Sequence, residues 1–262
     1  MEGISGVTSI NQIHSDGAEY DRARKRMTAE CNLIIEELFT NGVKEVVVND
    51  AHGSMDNLIY EELDSRASLI RGRPKEWTMM AGIDSTFDGV FLIGYHSRPG
   101  QSQAVLDHVY SGKVFSIKLN GQELGESGLN GRLAGYFEVP VLFISGDEKT
   151  TELAREELGK VVTAPVKKAQ SRYSALLYPR KQVESNLREG VKKALDNIGQ
   201  EPIQAVSPCE LQLSVPKRIM TEVLTMIPGV EVVDNRTVQY VDDDYKSMYQ
   251  VLQLMLKLLR NV

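Results

Sequence analysis

Four histidines occur in this 262-residue chain, and three of them stand near carboxylates in stretches suited to chemistry. His52 follows a β-branched run in VVVNDAHGSMDN, His96 follows a second apolar run in FLIGYHSRPG, and His108 comes soon after in AVLDHVYS. Glu126 sits in the glycine-rich segment GQELGESGLNGRLAGY, Asp147 closes VPVLFISGD, and Glu2 opens the chain in MEGISGV. Imidazoles mixed with carboxylates make a ligand set for Zn²⁺ or another first-row divalent ion. The spacing matches no compact signature such as H-E-x-x-H, so from the residues alone His52 and His96 read equally as ligands or as polar loop residues. Asp50, two residues before His52, either orients a ligand or caps the turn that ends the strand. His14, in NQIHSDG, reads as an ordinary loop residue.

Other chemistries lack their parts. There is no G-x-S-x-G elbow and no G-K-[ST] phosphate loop. Glycines 121, 125, 128 and 131 do not fit G-x-G-x-x-G; they read as a turn followed by a closely packed helix. Two cysteines give neither a disulfide framework nor a thiolate cluster, and Cys31, within a predicted helix, reads as a small buried hydrophobe.

The elements that must hold these residues alternate. Residues 19–41 carry Ala23, Met27, Cys31, Ile34, Ile35 and Leu38 at helical spacing, with Gly42 where a left-handed cap is expected. Buried strands follow at 46–48, 89–95, 114–120 and 139–147, and the histidines stand at the ends of the first two. In open parallel sheets ligands bind beyond the carboxyl ends of strands, so His52 and His96 can converge. The pattern predicts an α/β fold with a largely parallel sheet flanked by helices and a smaller C-terminal α+β part. A change of texture near residue 150 divides a metal-binding domain, 1–150, from a second, pocket-forming or oligomer-forming domain, 151–262. In that second part the pattern predicts helices at 151–158 and from Pro179, a strand at 209–215, a helix after Pro216, a strand around 230–241 and a C-terminal helix. The last has a broad apolar face of Met248, Val251, Leu252, Met255, Leu256 and Leu259. Trp77, Met79 and Met80 read as core. A net charge of −6 excludes a general nucleic-acid binder, and no apolar run is long enough to span a bilayer. A cytoplasmic enzyme is the expectation.

MEGISGV, YDRARKRMTAECN, VVVNDAHGSMDNL, GYHSRPG, the His108 segment, ELGESGLNGRLAGY and VPVLFISGDE follow one another in an order that resembles the zinc-dependent D-aminopeptidases of the dipeptide transport protein A family. The resemblance is dense to about residue 168 and continuous beyond. It implies a cytoplasmic aminopeptidase for short peptides with an N-terminal D-residue, such as D-alanyl peptides, working with two Zn²⁺ per chain in a large ring-like homo-oligomer. It implies Glu2, His52, His96 and Glu126 as metal ligands and His108 as a catalytic residue acting as base, nucleophile or oxyanion stabiliser. Asp50 and Asn130 become candidates to orient the ligands. The family's opening loop reads D-x-E-G, and Met1 takes the x position here. Either a ligating aspartate and the strand leading to it are expected just upstream, or the chain is a naturally shortened member, the sheet as written lacking its first strand. Two alternatives stay open: a metal-dependent amidase or peptidase of other stereochemistry, and a non-catalytic oligomeric binding protein.

Overall fold

The computed structural model describes residues 1–262. Helix α1 spans Tyr20–Thr40, and Gly42 behind it has φ +91°, with Val43 N–H donating to the Leu38 carbonyl. That left-handed glycine ends the helix without the steric cost any β-carbon would bring. Strands β1 (Val47–Asn49), β2 (Ser68–Ile70) and β3 (Val90–Leu92) follow, then β4 (Ser116–Leu119) and β5 (Gln122–Glu123). Helix α2 (Glu126–Tyr136) leads to the wholly buried β6 (Val141–Asp147) and α3 (Glu148–Leu158). Next come β7 (Val162–Ser171), β8 (Ser174–Leu177) and α4 (Arg180–Leu195). The chain finishes with β9 (Cys209–Ser214), α5 (Arg218–Leu224), the hairpin β10 (Glu231–Asp234) and β11 (Thr237–Asp242), and α6 (Tyr245–Leu259).

These strands make three sheets. β3, β6 and β7 run parallel with β8 antiparallel at the edge, in the order β3-β6-β7-β8. α1 and α4 cover them through Ile34, Leu38, Phe143, Val166, Leu187 and Val191. β1 and β2 form a separate parallel pair. Between β1 and β3 lies a cavity of about 1890 Å³, lined there by Ile34, Ile35, Val46, Val48, Phe91 and Ile93. The third sheet is antiparallel, in the order β10-β11-β9-β4-β5, and its core includes Ile117, Leu211, Leu213, Val238, Met248, Leu252 and Met255.

One expectation changes. The strand read at 114–120 joins the antiparallel sheet, where Ile117 and Leu119 face inward while Ser116 and Lys118 face out. Alternation, and not a continuous apolar run, is its true pattern. Strands from either side of residue 150 share sheets. β4 and β5 pair with strands from beyond it, while β7, β8 and α4 build the sheet begun before it.

Candidate metal centre

Loop 1–7 crosses the carboxyl end of β3. Gly3 N–H and the Met1 amine both donate to the Gly94 carbonyl, at 3.1 and 3.2 Å. A β-carbon at Gly3 would stand 1.7 Å from the Tyr95 carbonyl oxygen, so only glycine allows this crossing. The crossing buries the Glu2 side chain beside the histidines. Its Oε1 lies 3.1 Å from His52 Nε2 and 3.9 Å from His108 Nε2. Glu126, in the first turn of α2, comes within 3.4 Å of His96 Nε2 and 4.0 Å of His108 Nε2. The His96 and His108 rings stack at 3.9 Å with 12° between their planes. All five predicted residues thus meet at one end of the cavity.

The rear of each imidazole is tied to an oxygen. His96 Nδ1–H donates to the Ser97 carbonyl at 3.1 Å, and His108 Nδ1–H donates to the Leu106 carbonyl at 2.8 Å. His52 Nδ1–H donates to Asn57 Oδ1 at 3.2 Å. The Asn57 amide cannot be reversed, because its Nδ2 donates to the Asp50 carboxylate and the His52 carbonyl. With Nδ1 holding the proton, every Nε2 presents its lone pair toward the carboxylates. Lone pairs facing carboxylates need either protons or a cation between them, and second-sphere oxygens behind each ring are the usual support of a metal-bound histidine. Glu2, His96 and His108 offer one ligand atom each, all within 4.8 Å of one another. Three imidazoles and two carboxylates suit zinc.

The electrostatics agree with a site built for positive charge. Burial would raise Glu2, but His52, the chain amine and His96 hold it well below the usual carboxylate range. Burial opposes the charged form of both members of the next pair. Even so, Glu126 draws His96 up to about 9, and His96 with His108 draws Glu126 down to about 2. Burial and the nearby His96 charge push His108 down.

Asp50 is wholly buried and does two things. It caps the turn through Leu58 N–H at 2.6 Å and fixes Asn57, which in turn fixes His52. The Asn130 side chain makes no hydrogen bond to any of the five; its amide lies between Tyr95 Oη, at 3.0 Å, and Tyr249 Oη, at 2.9 Å. The His108 loop is pinned from two sides and locally strained. Asp147 accepts from Val105 N–H, Arg172 reaches Asp107, and Leu106 and Tyr110 take left-handed backbone, φ 52° and 58°. Strained non-glycine residues persist where the surroundings over-determine them.

With this geometry in view, comparison with known proteins is decisive. The family model of M55 peptidases, described as D-aminopeptidase, matches residues 1–254. The chain belongs to the M55 D-aminopeptidase family. A curated relative, the D-aminopeptidase of Bacillus subtilis (strain 168), is 34% identical over 98% of this chain and 94% of its own. A solved structure, the Zn-dependent D-aminopeptidase DppA from Bacillus subtilis, described as a self-compartmentalizing protease, superposes with a TM-score of 0.96. It is 34% identical and covers 100% of this chain and 96% of its own. The family and the α/β fold expected from the sequence are those found. No helix of this M55 chain is long and apolar enough to cross a membrane.

Sequence reading of this M55 member passed over Asn57 and the Tyr110 backbone amide, which donates to Glu126 at 2.7 Å. The polar run NDAHGSMDN carries the only local signal for Asn57, five residues after His52.

Proposed function

We propose that this chain is a zinc-dependent aminopeptidase that removes N-terminal D-residues, D-alanine among them, from short peptides at a two-zinc centre. Glu2, His52, His96 and Glu126 would hold the ions. The observation that carries the reading is the common posture of the three imidazoles, each tied at Nδ1 and open at Nε2 toward two buried carboxylates. Bound zinc supplies Lewis acidity and a water acidic enough to attack an amide at neutral pH.

The chain's own residues supply the rest. Glu2 and Glu126 would offer two oxygens each to the ions, and His52 and His96 one nitrogen each. His108, whose Nε2 lies near both carboxylates, is the residue best set to move a proton or to support the developing oxyanion. Its grouping with Glu2 and His96 favours one second reading, in which His108 is itself a ligand. His108→Ala separates the two: a catalytic role leaves zinc content unchanged and lowers kcat, whereas a ligand role lowers zinc content. The self-compartmentalizing description of the Bacillus subtilis structure supports a closed ring of subunits here too, to be read by light scattering on the eluting protein.

The deciding experiment pairs metal analysis with hydrolysis of D-alanyl and L-alanyl dipeptides. About two zinc atoms per chain, with D-selective turnover lost on chelation and restored by zinc, is the expected result. A chain with its full metal complement and no turnover of either dipeptide would sink the proposal; equal turnover of both would sink the stereochemical part.

A further inference from the structure

Behind loop 1–7 lies a wholly buried lysine that the reading above does not use. Lys167 stands in β7 where the register against β6 slips: Gly146 pairs with Pro165, but Asp147 pairs with Lys167. A bulge of this kind re-aims a side chain. Val166 and Lys167 are accordingly both buried, and the lysine extends under the loop. Its ammonium has three protons to give, and three carbonyls take them: Glu2 at 2.5 Å, Val7 at 2.6 Å and Ile4 at 2.9 Å. All three belong to the segment that presents Glu2. The same segment is held from α1, where the Glu30 carboxylate accepts from both the amide and the hydroxyl of Ser5.

Burying an ammonium among carbonyls is a costly way to fill a core, and an apolar side chain of equal size commonly serves stability as well or better. Here the ammonium performs a task an apolar group cannot: it satisfies the Glu2 and Val7 carbonyls and shares the Ile4 carbonyl with the Val7 N–H. Glu2 and Ile4 turn their carbonyls toward Lys167, and this fixes the backbone from which the Glu2 carboxylate reaches His52. We propose that Lys167 is the positioning residue for the Glu2 limb of the metal centre. It gathers the loop carbonyls into one tripod and so sets where the Glu2 carboxylate stands relative to His52 and His108.

The inference rests on the metal-centre reading, and the test keeps the two apart. Zinc affinity of the full chain is measured by competition with a chromophoric chelator, beside the melting temperature of the metal-free protein. Lys167→Met keeps the length and removes the donors; zinc is expected to bind about 10–100-fold more weakly, as for other residues that orient a ligand. The cobalt(II)-loaded variant should show a changed visible spectrum, because one carboxylate no longer reaches the ion as before. A purely structural lysine would lower the melting temperature and leave both the zinc affinity and the cobalt spectrum of the folded protein at wild-type values, and that result overturns the proposal. If Lys167→Met does not fold, Lys167→Arg decides: it keeps the charge but not the tripod, and wild-type zinc affinity in that variant is equally fatal. Glu126→Gln is the control on the underlying reading. If it leaves zinc affinity untouched, the metal centre itself is misassigned; if it weakens zinc while both Lys167 variants do not, only the role of Lys167 fails.

Discussion

The carboxyl end of the parallel strands and the antiparallel sheet are built on opposite terms. Around the first, buried groups are polar or charged: Glu2, Glu30, Asp50, Asn57, His96, Asp107, Glu126, Asp147 and Lys167. In the second, β9 alternates Cys209, Leu211 and Leu213 inward, and α6 lays Met248, Leu252, Met255 and Leu259 against them. One region spends burial on holding atoms in place, the other on removing apolar surface from water. Stability and metal binding should therefore respond to different substitutions, and four measurements sharpen or break that division.

The largest effect is expected at the centre. Glu126→Ala leaves His96 without its partner and the site without a carboxylate, so zinc retention should be lost and dipeptide turnover should fall by about 10³-fold or more. Turnover within about tenfold of wild type would remove Glu126 from the site. Next is Leu252→Ala, which opens a cavity in the apolar core at a cost of about 2–5 kcal/mol. The melting temperature should drop while the zinc affinity of the folded protein stays put; a parallel loss of zinc would show that the two regions are not independent. Asn57→Ala should do the reverse. It frees His52 Nδ1 and should weaken zinc by about 10–100-fold, with less effect on melting than Leu252→Ala.

The smallest effect is one of shape, in protein stripped of metal. His96, raised from 6.5 to about 9 by Glu126, stabilises the fold fully below pH 6.5 and loses that contribution as pH climbs through 9. Glu126, lowered from 4.5 to about 2, contributes above pH 4.5 and loses its contribution as pH falls toward 2. The metal-free melting temperature should accordingly level out between about pH 4.5 and 6.5 and decline toward pH 9. Zinc held at the proposed centre would keep His96 neutral, so adding it should flatten the alkaline limb. An unchanged alkaline limb on loading would place the ion elsewhere.

The same two regions differ in how much of them was legible beforehand. Helical spacing located α1 and α6, and the apolar run VPVLFISGD located β6, because each buries one continuous stripe or face. β7 went unread: Pro165, Lys167 and Lys168 interrupt the apolar signal, and the bulge that turns Lys167 inward is set by pairing with β6. β4 was found but assigned to the parallel sheet, since four residues do not reveal their partner. The five site residues were legible only as an ordered set of family motifs. Their separations, from position 2 to position 126, carry no local period that would join them. Asn57 acts through short-range hydrogen bonds in the turn after β1 and Lys167 through bonds made across the fold, while the amide of Asn130, a candidate to orient the ligands, bonds two tyrosines.

The division between β1 and β3 has a mechanical side. His52 follows β1, on the two-stranded sheet, whereas His96 follows β3, on the four-stranded one, and no ladder of hydrogen bonds joins those strands. Side-chain packing, chiefly of α1 with Val46, Val48 and Ile93, and a few side-chain hydrogen bonds such as Glu2 with His52 and Tyr20 with Asn57 span the seam. Ions held in common by His52, Glu2, His96 and Glu126, as proposed, would be rivets across it. Their binding energy adds to the cohesion of the two plates by mass action, so amide exchange in β1 and β2 should slow on zinc loading far more than exchange in β9 or α6.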